Sequence, residues 1–314
     1  FPAIDEGGNL VFVGTFPGAT DSGDGPISED PYQIVTVLVK IDPVGAHVFS
    51  HGFGDADSVK VLDVDVASNG DIAVVGAGAY DPVGGGPAFV VRFDAAGNQL
   101  WGKSMSGSFF SGVSFDAAFD LVIVGEVVDP DAVDFGGGPL PGVVVGTTDV
   151  VAIKLAADGS HVWSRRFGGS ASLSGGRIEA TSERNVLLLG ELVSSNLNVK
   201  GVVTFGDHLI ALVDGSYLAR LDADGNPLGA IGMPYVEAAT LVLAPSGDVV
   251  VAGRTTNVNR NQLADIGGAA ISGGFVAAIE PTLSLRWSVP FGYISPSDGA
   301  VDEQGGVVTI GSLG

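Results

Sequence analysis

The 314-residue chain contains no cysteine. Disulfides, thiolate metal sites and cysteine nucleophiles are therefore excluded, while the compartment stays open, because many secreted bacterial proteins also lack cysteine. Positive charge is scarce: 14 Lys+Arg stand against 36 Asp+Glu, a net charge of −22. A surface this acidic repels nucleic-acid backbone and anionic lipid, and leaves cations, cationic partners and neutral ligands such as glycans. The plainer reading is that the acidity keeps the protein soluble. No apolar run approaches the roughly 20 residues that span a bilayer, so membrane insertion is not expected. The chain opens on Phe1 with neither a Met nor a signal-like segment, and reads as trimmed or processed at that end.

Catalytic and cofactor motifs are equally thin. The four His form no His-x-His or His-Glu-x-x-His pattern, so zinc is not expected. His47 and His161 fall in one repeat column, which favours a structural role, and His51 and His208 have no ligand pattern beside them. There is no Gly-x-Ser-x-Gly elbow. The Gly triplets at 84–86 and 136–138 neither open a helix nor precede Lys-Ser/Thr, so a phosphate cradle is a weak reading.

What the chain has in abundance is glycine, 49 residues, beside 46% hydrophobic residues. That pairing describes a sizeable core with many turns or close strand approaches, not a disordered tract. The glycines also mark a repeat. "NLVFVG", "DIAVVG", "DLVIVG", "NVLLLG", "DVVVAG" and "GVVTIG" end at Gly14, Gly76, Gly125, Gly190, Gly253 and Gly311, at intervals of 62, 49, 65, 63 and 58 residues. A basic residue, Lys40, Arg92, Lys154 or Arg220, opens a second recurring phrase, and Ala278 takes its place in the fifth copy.

Each unit reads as four short strands, a to d, joined by Gly/Asp/Asn turns. The anchor Gly closes strand b, the basic residue lies on strand c, and strand d carries an aromatic. A unit of this length with four antiparallel strands is a propeller blade. The expected fold is an all-β propeller with five complete blades plus two strands of a sixth. Blade limits fall near 1–54, 55–107, 108–169, 170–233, 234–292 and a partial 293–314, with strand a lining the axis. The chain is expected to continue past Gly314 in a longer protein, since an unfinished blade leaves a sheet edge exposed. Phe49, Trp101, Trp163, Gly229 and Trp287 form one column of strand d, and Phe53, Met105, Phe167, Met233 and Phe291 another four residues on. Alternation puts both on one face. Trp101, Trp163 and Trp287 are expected to be buried between blades.

"VDFGGGPL" at 133–140, followed by "DVVAIKLAADGSHVWSRRFGG" at 149–169, resembles the β-propeller repeat of secreted bacterial proteins, the SBBP repeat, abundant in predicted surface proteins of myxobacteria and related bacteria. The close match covers 133–169, and the other units retain it in decayed form. The resemblance implies a secreted or cell-surface propeller and brings no catalytic residues with it.

Calcium is the one metal worth a test, because it takes several oxygens from one loop. "DPDAVDFGGG" offers Asp129, Asp131 and Asp134, the best set. "LDADGN" (Asp222, Asp224) and "DSGDG" (Asp21, Asp24) are poorer, and none matches a full EF-hand loop. Asp is also the common turn residue, which is the simpler account. The long b–c connections, 15–33, 126–149, 191–215 and 254–274, are the natural recognition loops. The expectation is a non-enzymatic extracellular binding, structural or adhesive module that uses these loops or its sheet edges. It would contact another protein or a surface polysaccharide, or self-assemble. A secreted polysaccharide-acting enzyme, and a calcium-dependent adhesin or lectin, stay open.

Overall fold

Runs rich in Val, Ile and Leu, cut by turns bearing Asp and Gly, favour extended, laddered chain. A computed structural model shows an all-β molecule. It describes residues 2–18, 20–21, 23, 25–26, 28, 30, 32–55, 59–78, 88–128, 131–142, 146–193, 200–212, 214–256, 264–266, 269–292, 294–302 and 304–313. Among these there is no helix.

The first sheet is β1 (Pro2–Ile4), β2 (Leu10–Pro17), β3 (Ile34–Ile41) and β4 (His47–Asp55), paired in that order. The second is β5 (Val59–Val66), β6 (Ile72–Gly78), β7 (Ala88–Phe93) and β8 (Gln99–Met105). In the third unit β9 (Ser108–Phe115) and β10 (Leu121–Val127) precede a small hairpin, β11 (Val133–Asp134) and β12 (Pro139–Leu140), and then come β13 (Asp149–Leu155) and β14 (His161–Gly169). The fourth has β15 (Ser172–Ala180), β16 (Val186–Val193), the inserted hairpin β17 (Gly201–Phe205) and β18 (His208–Leu212), then β19 (Asp214–Leu221) and β20 (Pro227–Pro234). The fifth has β21 (Val236–Leu243), β22 (Val249–Thr255), the hairpin β23 (Ala264–Ile266) and β24 (Ala269–Ile271), then β25 (Gly274–Ile279) and β26 (Leu285–Gly292). Two strands, β27 (Ile294–Val301) and β28 (Val307–Leu313), form a last sheet. Every pairing between these strands is antiparallel and runs a-b-c-d. In the third sheet the β17–β18 hairpin adds two strands beyond β14 through Gly168↔Thr204 and Gly169↔Val203.

The two phrases of the repeat are structural equivalents. Lys40 faces Phe49 across strands c and d, Arg92 faces Trp101, Lys154 faces Trp163, Arg220 faces Gly229 and Ala278 faces Trp287. The anchor Gly has a physical cause too. Strand a carries a bulge opposite Gly76, Gly125, Gly190, Gly253 and Gly311. A Cβ on any of them would collide with a strand a carbonyl, that of Lys60, Phe109, Ser174, Glu237 or Ser295. Only glycine permits that approach. Gly125→Ala is expected to cost about 1–3 kcal/mol, the ordinary range for overpacking, and a denaturant midpoint equal to wild type would dismiss the bulge account.

The core lies between successive sheets, not within one. Val64, Ile72 and Phe89 pack with Val11, Leu38 and Phe49, and the same stacking recurs down the chain to Val250 and Ala252 against Val301 and Val307. The strands a of all six units surround one cavity of about 680 Å³. Radial four-stranded sheets about such an axis make a β-propeller.

The tryptophan expectation needs correction. Trp163 is buried, but Trp101 is half-buried and Trp287 is 38% exposed. The cause is the neighbour. Each aromatic lies on the c–d turn of the following unit: Phe49 at Gly97, Trp101 at Gly159, Trp163 at Gly225. The following unit of Trp287 shows only β27 and β28.

Candidate functional site

Strand a is the innermost edge of each sheet, and its outward amides need partners away from the ladder. The preceding unit supplies them. Asp63 accepts a hydrogen bond from the Val113 amide (3.0 Å) and Asp65 from the Phe115 amide (2.8 Å), while Ser114 Oγ accepts one from the Ala180 amide (3.2 Å). Asp63, Asp65, Arg177, Glu179 and Asp298 therefore converge on the axial cavity, whose remaining lining among the described residues is aliphatic or small.

Burial governs their ionisation. It pushes the Glu179 carboxyl up to about 8, helped by Asp65 and Asp63 and opposed by Arg177. Burial also pushes Asp65 up to about 6 against the Phe115 and Val66 amide hydrogen bonds, and raises Asp63. A carboxyl raised in the folded state holds its proton when the unfolded chain has lost it. The stability linked to Glu179 is thus full below the unfolded value of about 4.3 and is lost as pH climbs through about 8. Glu179→Gln is expected to melt close to wild type at pH 5 and above it at pH 9. Parallel melting curves across that range would show that Glu179 titrates normally.

The described calcium candidates act as turn residues. Asp134 Oδ1 accepts the Gly136 amide (2.7 Å) and the Gly138 amide (3.0 Å), a local turn, and Asp21 does the same with Gly23 (2.8 Å) and Gly25 (3.1 Å). Asp222 Oδ1 likewise accepts the Asp224 and Asn226 amides. Asp131 is described, and Asp129 and Asp24 lie outside the described residues. Among the described residues no group of three or more His, Asp or Glu is placed to hold a metal ion. His47 and His161 each meet a serine three residues on, Ser50 (2.7 Å) and Ser164 (3.2 Å). Both rings pack on a b–c loop glycine, Gly23 and Gly137.

Each b–c hairpin buries several apolar side chains inside the molecule. Val133 and Phe135 cluster with Met105, while Val203, Phe205 and Ile210 cluster with Phe167, its ring 4.9 Å from that of Phe205. Ala264, Ile266 and Ile271 cluster with Met233. Each hairpin thus caps strand d of the preceding unit.

Large apolar side chains are exposed on strands of several sheets, among them Val48, Leu100, Val162 and Leu228, and in the last two sheets they fall close together in sequence. Trp287, Val289 and Phe291 on β26 are exposed, as are Val308 (65%) and Ile310 (64%) on β28. Among the described residues β28 pairs with β27. The alternation of Val308 and Ile310 gave no warning of their exposure, because their equivalents Val122 and Val124 are buried.

No protein-family model matches the chain, and no curated protein matches it. Solved structures are similar in fold. The Dos1 propeller is 12% identical over 98% of this chain with a TM-score of 0.46, and this chain spans 65% of its length. A protein of unknown function from Dyadobacter fermentans is 12% identical over 92% of this chain and 81% of its own, with a TM-score of 0.45. The C-terminal WD40 domain of Sif2 is 10% identical over 99% of this chain and 92% of its own, with a TM-score of 0.38.

Proposed function

We propose that this protein is a non-enzymatic contact module, a propeller of the secreted bacterial repeat type, that binds another polypeptide through the apolar side chains exposed on β26 and β28. The observation that carries the reading is the row Trp287, Val289 and Phe291, exposed at alternate positions along one face of β26, with Val308 and Ile310 exposed on β28. A row of large apolar side chains left at the surface marks a contact site. Location outside the cell or at its surface is supported by the resemblance of 133–169 to the SBBP repeat. The same loop turn at Asp21 and Asp134 adds support for a common repeat.

The test is a photo-crosslinking residue at position 310, in the native host, with position 209 on β18 as the control. Leu209 is as exposed as Ile310 but lies on β18, the outer strand of the third sheet. A polypeptide adduct is expected at 310 and not at 209, and Val308→Asp is expected to remove it without lowering the melting temperature. Equal adducts at the two positions, or none at 310, would end the reading.

A second reading, an enzyme acting on polysaccharide, draws on the axial carboxylates, where a Glu kept protonated near neutrality sits with Asp63 and Asp65. Against it, both Asp side chains are held by backbone amides, and among the described residues no aromatic side chain lines the cavity as a platform for a sugar ring. Polysaccharide cleavage abolished by Glu179→Gln would install it.

A further inference from the structure

We propose that the axial cavity binds an organic cation, a primary ammonium on an aliphatic chain, through Asp63, Asp65 and Glu179. The inference goes beyond the contact reading and stands on a different part of the molecule, the strands a of the second to fifth units.

The a–b registers arrange those strands in two tiers around the axis. Asp63, Gly112, Arg177 and Thr240 lie opposite Val75, Val124, Leu189 and Ala252, the residues just before the anchor glycines. Two residues on, and therefore on the same face, Asp65, Ser114, Glu179 and Val242 form the second tier. Apart from Gly112, all of these line the cavity. Polar groups of the second tier thus gather on the second, third and fourth units, and Val242 offers an apolar surface on the fifth. The volume of about 680 Å³ lies within the range of small-molecule sites.

The lining is short of positive charge. Asp63, Asp65 and Glu179 share it with Asp298 of β27 and, among the described residues, with one cation, Arg177. The Arg177 Nε donates to Ala239 O on strand β21 (3.4 Å), and among the described residues Arg177 forms no salt bridge. Asp63 and Asp65 each accept a backbone amide, from Val113 and Phe115, yet an ionised carboxylate has about four acceptor sites. Glu179 has no hydrogen-bond partner among the described residues. Thr240 is 2% exposed, and its hydroxyl also has none. Buried polar groups are ordinarily satisfied, so these two side chains stand ready for a ligand's donors.

Burial beside Asp65 and Asp63 keeps the Glu179 carboxyl protonated near neutrality. An entering ammonium reverses that balance, because a nearby opposite charge favours the ionised form. A metal ion fits less well. It needs oxygens converging within roughly 2.0–2.6 Å of one point, and among the described residues no three acids are placed to do so. An ammonium bonds at roughly 2.7–2.9 Å through three separate N–H donors, and Val242 gives its aliphatic chain a surface to lie on.

The experiment titrates the full chain calorimetrically with n-butylamine at pH 7 and at pH 9. One equivalent is expected to bind. Its affinity is expected to be about tenfold higher at pH 9, because the ionised fraction of Glu179 rises about that much across its value of about 8, while an amine near 10.4 keeps its charge. Glu179→Gln is expected to abolish the rise with pH. Asp63→Asn, which keeps an oxygen for the Val113 amide, is expected to weaken binding about tenfold, as for one lost hydrogen bond to a charged group. Glu183→Gln, on an exposed turn, is expected to bind as wild type does. Uptake of several equivalents undiminished in Asp63→Asn and Glu179→Gln would assign the amine to the acidic surface and overturn the proposal. So would equal binding of 1-butanol, which has the same chain without the charge, or a wild-type affinity that is flat from pH 7 to pH 9. A parallel titration with Nα-acetyl-lysine methylamide separates two sources of the ammonium. Tighter binding of butylamine assigns the cavity to a free amine, and tighter binding of the blocked lysine assigns it to a lysine side chain of another polypeptide; either supports the ammonium site.

Discussion

Trp163→Ala is expected to destabilise the protein by about 3–5 kcal/mol, the cost of truncating a buried aromatic, and Trp287→Ala by less than about 1 kcal/mol, as for an exposed site. The two residues hold the same position in the repeat, each opposite the cation column of strand c. Their surroundings differ. The Trp163 ring is enclosed in the cluster that joins the third and fourth units, rests on Gly225 and donates its indole N–H to Ala223 O at 2.9 Å. Its removal opens a cavity and leaves that carbonyl without its partner. Trp287 is 38% exposed, so its removal opens no enclosed cavity. Trp101, half-buried with the same indole hydrogen bond to Ala157 O, is expected to fall between them. Urea midpoints of the three variants give the order directly. Equal costs for Trp163 and Trp287 would mean that the following unit's turn does not supply the stabilisation. With only three Trp in the chain, the same variants assign the emission of each.

The repeat was legible because its two strongest columns are set by local geometry. A bulge in strand a demands glycine on strand b, and a five-residue turn demands a residue of positive φ at its fourth position. Gly45, Gly97, Gly159 and Gly225 meet that demand in the c–d turns, and Leu283 meets it in the fifth. Burial was less legible, because it depends on the next unit and not on the unit that carries the residue. Trp287 and Phe291 read like Trp163 and Phe167, yet their cover is a hairpin and a turn that no residue of their own unit encodes. The packing of the b–c connections was hidden for a related reason. Their lengths vary as recognition loops do, but Phe135, Phe205 and Ile266 are buried against the preceding strand d. The axial carboxylates left a trace that could have been used: "LDVDV" and "GRIEA" put charged residues at alternate positions of the strand nearest the axis, where an aliphatic pattern would pack blades alone.

Asp116→Ala is expected to cost about 3–5 kcal/mol, because it strands a buried ammonium. Lys154 and Asp116 are both buried and meet at 2.6 Å. Without Asp116 the ammonium keeps only Asp120, at 3.6 Å. The reverse change, Lys154→Met, is expected to cost less. It leaves Asp116 with the Arg184 Nε at 3.0 Å and two turn amides, and it replaces the Lys stem with apolar atoms of similar length. The double variant should cost less than the sum of the two, since no charge is then left unpaired. Acid gives an independent check. Burial alone would raise the Asp116 carboxyl, but the hydrogen bonds from Lys154, the Ala118 amide and Arg184 outweigh it and hold it below the usual value. A depressed carboxyl contributes stability that is complete above the unfolded value of about 3.9 and is lost as pH falls through the folded one. Wild type should therefore lose stability more steeply than Asp116→Asn as the pH falls below about 4. Superimposable acid limbs for the two proteins, or a larger loss for Lys154→Met than for Asp116→Ala, would show that the turn amides, and not the ion pair, hold the third sheet's a–b turn against strand c.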